Sequence, residues 1–193
     1  MNPVFQHPQY LLQRKVLALT GKFNFYGPQG QAVLYSEQRM FKLKEDVRVY
    51  NGLEKSQELL QIKARQVLDF SASYDVFDPV ENVRVGTLQR RGLRSIARDE
   101  WQILDANQRP LGIIIEDDLG YAMLRRFLLG SLLPQNYDVI INERKIADLR
   151  QRFNLIRYEM LVDFTNNRPQ QFDPRLGIAA ALLLGIIEGK QSN

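Results

Sequence analysis

The sequence predicts a mainly β protein, a closed antiparallel barrel of about 12 strands around a central, C-terminal apolar helix. Two observations predict this fold. First, one pattern occurs five times along the 193 residues: an apolar or aromatic pair, a polar turn and a second apolar run. Each occurrence is typical of a β-hairpin. Second, one segment near the C-terminus is apolar on every side, so as a helix it must be buried.

The five hairpins are indicated by their turns, because Gly, Pro, Asn and Asp directly follow each apolar pair and these residue types favour turns. Successive pairs are separated by 24, 27, 27 and 37 residues. The pairs are Phe25-Tyr26, Val49-Tyr50, Val76-Phe77, Ile103-Leu104 and Ile140-Ile141. The turns begin at Gly27, Asn51, Asp78, Asp105 and Asn142.

Each turn leads into a returning strand in which apolar and polar residues partly alternate, as they do when one face of a sheet meets water. An additional strand near 16–19 and a last one near 156–164 bring the number to roughly a dozen. The five returning strands are predicted at 33–35, 59–62, 83–88, 111–115 and 146–149.

The C-terminal segment 176–187 reads LGIAAALLLGII. Asp173 is suited to the N-cap and Pro174 to the first helical position, while Gly189 provides a stop, so we predict a helix over 174–189. Twelve residues span about 18 Å, well short of the ~30 Å hydrocarbon core of a bilayer. A barrel of about twelve strands leaves a central hole, and this helix is wide enough to fill it. We therefore expect a core plug, with a membrane anchor as the alternative.

The long fourth interval contains an insertion at 119–133. Apolar residues recur at helical spacing from Leu119 to Leu128, and Arg125 and Arg126 lie off that stripe. Pro134 ends the pattern. We predict a short amphipathic helix that either covers the barrel mouth or lies on a membrane surface.

No linker divides the chain, so we expect a single domain over 1–193, with residues 1–9 loosely ordered. The absence of cysteine excludes disulfides, thiol catalysis and cysteine-ligated metals, and the only histidine is His7. The carboxylates Glu116, Asp117 and Asp118 are interpreted as a solvated turn, and Trp101 as part of the barrel wall. We expect no enzyme activity, no cofactor and no metal site.

Several repeated units carry a family resemblance: YDVFDP at 74–79 with VGTL at 85–88, and WQILD at 101–105 with PLGI at 110–113. Their order, followed by the final apolar helix, resembles the LURP-one-related proteins of the Tubby C-terminal-like superfamily, which also includes the phospholipid scramblases. The resemblance covers most of the chain and implies a closed barrel of about twelve strands around a C-terminal helix.

The resemblance also implies non-enzymatic work at membranes. Tubby-like domains bind phosphoinositide headgroups through basic residues on neighbouring strands, and scramblases are associated with calcium-dependent lipid movement. This sequence shows no cysteine-rich palmitoylation stretch, no Pro-rich N-terminal region and no acidic loop of calcium-binding spacing before the helix. Scramblase-like activity is therefore the least favoured function.

The candidate binding residues are cations that share a strand face or a short basic run. Lysine offers a point charge and arginine a bidentate fork, which together suit a phosphorylated headgroup. The alternative is a solvated surface that discourages strand edges from pairing. The candidates for phosphate or lipid-headgroup binding are Lys42, Lys44, Lys63, Arg65, Arg90, Arg91, Arg94 and Arg98, and those for a membrane-surface helix are Arg125 and Arg126.

With a net charge of +4, we expect a binding module that docks weakly on anionic lipid or phosphoinositide headgroups. A protein-interaction scaffold without lipid affinity is the alternative. The expected partners are anionic membrane lipids or a protein, and nucleic acid is not expected because basic and aromatic residues are not interleaved on one face. We expect a cytoplasmic location, with peripheral docking at the inner face of the membrane. The oligomeric state stays open.

Overall fold

The computed structural model describes residues 1–15, 20–39, 46–66, 72–91, 99–117, 134–154, 156–167 and 171–191. Twelve strands form one closed antiparallel barrel, in which each strand pairs with its sequence neighbours and β1 pairs with β12. The predicted fold is therefore confirmed. The strands are β1 Gln9–Lys15, β2 Thr20–Tyr26, β3 Ala32–Arg39, β4 Val47–Asn51, β5 Glu58–Gln66, β6 Ser73–Asp78, β7 Val83–Arg90, β8 Glu100–Leu104, β9 Pro110–Glu116, β10 Asn136–Ile141, β11 Arg144–Arg152 and β12 Arg157–Asp163.

The first strand lies before the place where the sequence predicts it. The expected strand at 16–19 falls outside the described residues, and β1 occupies Gln9–Lys15 instead. The stretch 1–9, expected to be loosely ordered, contains a 3-10 helix at Pro3–Phe5, and Phe5 is fully buried in the core. The sequence pattern hides β1 because one of its inward positions is the charged residue Arg14.

The two ends of the barrel differ. The even-numbered strands up to β10 run into short hairpin turns such as 79–82 and 142–143. We call this end the turn end. Odd-numbered strands finish at the opposite end, where the connections include 91–99 and 117–135. We call it the loop end. The predicted amphipathic helix at 119–133 belongs to one of these connections and lies outside the described residues.

The helix α1, Pro174–Gln191, fills the barrel as predicted. Asp173 caps it, because its carboxylate accepts the backbone N–H of Arg175 at 3.0 Å. Residues 175–186 are buried. Within the described part of the chain, no helix combines the length and the apolarity that membrane crossing requires.

The apolar pairs that repeat in the sequence mark β-bulges next to the turns. The strand register shifts within Phe25-Tyr26, Val49-Tyr50, Val76-Phe77 and Ile103-Leu104, and one residue before Ile140-Ile141. A bulge adds one residue to one strand and bends it. The repeat therefore encodes the bends that help the sheet to close as well as the hairpins.

Candidate functional site

Two candidate cations lie together on the outer wall of the barrel. In β5, Leu60 and Ile62 point into the core, so alternation directs Lys63 and Arg65 outward, and both are exposed. In β6, Asp75 lies opposite Lys63 in the strand register. A third cation, Arg84 of β7, reaches the same carboxylate. We call Lys63, Arg65, Arg84 and Asp75 the wall patch.

Hydrogen bonds fix the wall patch across several strands. Arg65 donates to both oxygens of Asp75, with an Nη2–Oδ1 distance of 2.8 Å and an Nε–Oδ2 distance of 3.1 Å. Arg84 donates to Asp75 Oδ1, and the hydroxyl of Thr87 donates to the same oxygen at 2.8 Å. The Gln108 amide closes a ring, because it donates to Thr87 and accepts from Arg65, each at 2.8 Å.

The wall patch carries an excess of positive charge. Partial burial alone would raise the pKa of Asp75, but hydrogen bonds from Thr87 and Arg65 and the charges of Arg84 and Arg65 outweigh it and lower the pKa below its ordinary value. Asp75 is therefore ionised at neutral pH. Three positive charges around one negative charge leave a net charge of two on this surface.

Lys63 is the most available of these cations, because it forms no ion pair with any residue in the described part of the chain. Arg65 and Arg84 share Asp75, so each still presents N–H donors that the carboxylate does not use. The patch can therefore accept an added anion without breaking its internal ring.

The other described candidates are neutralised locally. Arg90, at the loop end of β7, forms an ion pair with Asp99 at 2.9 Å, and Arg91 forms one with Glu100 at 2.6 Å. These pairs join the end of β7 to the start of β8. They consequently offer less free charge than the wall patch.

The remaining candidates fall outside the described residues, in segments that connect strands at the loop end. Segment 40–46 joins β3 to β4, segment 91–99 joins β7 to β8, and segment 117–135 joins β9 to β10. The candidates in these segments are Lys42, Lys44, Arg94, Arg98, Arg125 and Arg126.

The sequence analysis did not identify Arg84 and Asp75 as members of a site. The signal was present in part, because Arg84 lies between two valines and so alternates outward. The position of Asp75 beside Lys63 depends on the register between β5 and β6, including a bulge at Ala64 to Gln66. Sequence alternation alone does not give that register.

Metal-ligating side chains are not clustered among the described residues. No group of three or more His, Cys, Asp or Glu side chains there could hold a metal ion. Glu116 is buried at the end of β9, where its carboxylate lies 3.3 Å from the backbone N–H of Asp99, so its interpretation as part of a solvated turn was wrong. Trp101 is buried against Tyr74, as expected for the barrel wall.

An open groove of about 520 Å³ lies on the outer wall where β1 meets β2 and β12. Its lining includes Leu11, Tyr26, Leu161 and Arg152. The residues that line it include no carboxylate or histidine. The groove therefore lacks the acid and base groups that most hydrolytic chemistry requires.

A family model described as LURP-one-related matches residues 9–184. No curated protein and no solved structure matches the chain. The matched range includes all twelve strands and most of α1.

Proposed function

Because the chain belongs to the LURP-one-related family of the Tubby-like C-terminal superfamily, we propose that it is a non-enzymatic binding module that docks weakly on anionic lipid headgroups. The observation that carries the proposal is the wall patch, where Arg65 and Arg84 bind Asp75 and the exposed Lys63 lies opposite Asp75 in the strand register. Phosphatidylserine and phosphoinositides share the net negative headgroup charge that this patch would bind.

The closed barrel weakens the alternative explanation for these cations. Charged residues on an open sheet often protect its edge strands from pairing with another chain. Here β1 pairs with β12, so the sheet has no free edge. Lys63 and Arg65 lie on a strand that is paired on both sides, and edge protection does not account for them.

The chemistry of the patch suits a phosphate. Arg65 is held in place by Asp75 and Gln108, so less side-chain entropy is lost when its remaining donors bind an anion. Lys63 adds the point charge of a flexible lysine side chain next to the fixed guanidinium group of Arg65. The negative charge of Asp75 limits the affinity and keeps the docking weak.

The expected strength follows from the charge. Each cation close to an anionic membrane contributes ~1 kcal/mol, so two net charges give about 2 kcal/mol. Cations of the loop-end connections (Lys42, Lys44, Arg94, Arg98, Arg125 and Arg126) would add to this attraction. Such docking is reversible and sensitive to salt. We place it at the inner face of the membrane, whose cytoplasmic leaflet carries the anionic lipids.

Vesicle co-sedimentation tests the proposal. The purified protein is mixed with phosphatidylcholine vesicles and with vesicles that also contain phosphatidylserine or a phosphoinositide at equal charge density, each at low and high salt. We expect binding to both anionic vesicles, little binding to the neutral ones, and loss of most binding at high salt.

Single substitutions then locate the contact. Lys63→Ala and Arg65→Ala are expected to weaken binding to anionic vesicles about fivefold each, from the loss of ~1 kcal/mol per cation. Arg144→Ala is the matched control, because Arg144 is an exposed cation at the turn end and its loss changes the net charge equally. Equal effects of all three variants would overturn the assignment to the wall patch. If the wild type binds no vesicle, a protein-interaction scaffold becomes the better explanation.

A further inference from the structure

The connection between β11 and β12 exposes apolar side chains in an unusual setting. Of the residues that the structure describes, few large apolar side chains are exposed, and Phe153 and Ile156 are among the most exposed at 59% and 72%. They lie on one connection, between the exposed cations Arg152 and Arg157. We call Arg152, Phe153, Asn154, Ile156 and Arg157 the β11–β12 tip.

The charges around the tip distinguish it from the exposed apolar residues Leu53 and Val80. Leu53 is followed by Glu54, and Val80 by Glu81, both carboxylates. At the tip, neither Arg152 nor Arg157 forms an ion pair with any described residue. The register places Arg152 opposite Glu159 of β12, but the carboxylate of Glu159 accepts a hydrogen bond from Gln13 at 3.0 Å. The two guanidinium groups of the tip are therefore not neutralised by an ion pair with a described residue.

Hydrogen bonds hold part of the tip in place. The side-chain oxygen of Asn154 accepts the backbone N–H groups of Ile156 at 2.9 Å and of Arg157 at 3.1 Å. This is the local bonding by which Asn stabilises turns. It holds the backbone of Ile156 and Arg157, so less ordering is needed there when the tip meets a partner.

We propose that the β11–β12 tip inserts Phe153 and Ile156 into the interface of an anionic bilayer while Arg152 and Arg157 contact lipid phosphates. Apolar side chains flanked by cations are the combination that binds at this interface. The inference rests on the proposed function and adds the orientation of the barrel on the membrane. Because the tip lies at the loop end, that end would face the bilayer.

When the loop end of the barrel faces the bilayer, the wall patch also lies close to the membrane. β5 runs toward the loop end, and Arg65 is the residue before its last one. The tip and the end of β5 lie on opposite sides of the barrel in the strand order. A barrel standing on its loop end therefore meets the bilayer at two separated points, one apolar and basic and one basic only.

A double variant separates the two contacts. The double variant Phe153→Ser with Ile156→Ser is expected to weaken binding to phosphatidylserine vesicles tenfold or more. The reason is that two apolar side chains that would be partly buried in the bilayer interface are lost. Salt screens charges but leaves apolar insertion intact, so this difference persists at high salt, whereas the effect of Lys63→Ala fades. Leu53→Ser is the matched control, because Leu53 is also 59% exposed but lies at the turn end.

Depth-dependent quenching reports insertion directly. In vesicles of phosphatidylserine and brominated phosphatidylcholine, the fluorescence of Phe153→Trp is expected to be quenched, whereas that of Leu53→Trp is not. If the wild type binds but the double variant binds equally well and Phe153→Trp is not quenched, the tip proposal is overturned and the proposed function survives. If the wild type binds no vesicle, both are overturned.

Discussion

Arg175 is a buried cation in the first turn of α1, and three carboxylates surround it. Its guanidinium donates to Asp78 at 2.6 Å, to Glu81 at 2.9 Å and to Asp173 at 2.6 Å. Burial alone would lower the pKa of Arg175, but the hydrogen bonds and charges of these carboxylates raise it above its ordinary value. The cluster ties the helix to the β6–β7 turn.

Replacing Arg175 with methionine keeps the length of the side chain and removes the charge. Asp78 is almost fully buried and would lose its partner, so we expect the free energy of unfolding to fall by about 3–5 kcal/mol, as when a buried pair is broken. Urea denaturation measures the change. Arg144→Met, at an exposed position, is the control and should change stability by less than about 0.5 kcal/mol. A similar small change for Arg175→Met would contradict the role of the cluster.

Asp75 links stability to pH. Its pKa is lowered in the folded protein, so its contribution to stability is complete above its unfolded pKa of about 4 and is lost as the pH falls through the lower folded pKa. Asp75→Asn has no such contribution. We expect the difference in unfolding free energy between wild type and variant to shrink as the pH is lowered below about 4. Urea midpoints measured between neutral and acidic pH check this, and pH profiles that stay parallel would contradict it.

At the residue scale, the sequence predicts which side chains are exposed better than it predicts which residues they contact. Alternation along β5 predicts that Lys63 and Arg65 point outward, because strand geometry is local. Two of the three partners of Arg175, Asp78 and Glu81, lie 97 and 94 residues away in the chain. Such a cluster depends on how the helix enters the barrel, and no local pattern in the sequence contains that information.

At the scale of the hairpin, bulges and glycines work together. A Cβ atom on Gly86 would lie 2.4 Å from the carbonyl oxygen of Leu104, and one on Gly112 would lie 2.4 Å from that of Ile140. Leu104 and Ile140 lie where the register of the next hairpin shifts, opposite the bulge that its returning strand forms. The glycine in each of these hairpins thus makes room for the neighbouring hairpin at the point where its register shifts.

Gly86→Ala and Gly112→Ala are expected to destabilise the protein by about 1–3 kcal/mol each, because the added methyl group meets a backbone carbonyl that cannot rotate away. Gly185→Ala is the comparison. Its Cβ would lie 3.1 Å from ring atoms of Phe23 and Tyr158, and the better helix propensity of alanine offsets part of that crowding. Thermal or urea unfolding ranks the three variants by stability. A larger loss of stability for Gly185→Ala than for the other two would contradict this explanation.

The sequence predicts most elements because their signals are local. Turn residues mark the five hairpins, and the all-apolar segment marks α1. The sequence analysis places the first strand too late in the chain, because β1 contains a charged residue that faces inward. This residue, Arg14, lies between the rings of Phe23 and Tyr158. A cation inside a barrel is stabilised by such rings, but in the sequence it reads as a surface residue.

At the scale of the whole molecule, the barrel is a closed support with two unlike ends. The turn end has short polar turns and the Arg175 cluster, while the loop end bears the tip and the connections that hold most candidate cations. A helix fills the interior. Binding is therefore expected on the outer surface of the barrel. The excess positive charge of the wall patch favours an anionic partner there.

Asp75 provides the most direct test of that claim, because its removal should improve binding. Asp75→Asn raises the net charge of the wall patch by one, so its partition onto phosphatidylserine vesicles at low salt should be about fivefold stronger than that of the wild type. Circular dichroism confirms that the variant stays folded, and high salt should abolish the gain. Unchanged or weaker partition of the folded variant would contradict the account that this patch binds anionic lipid.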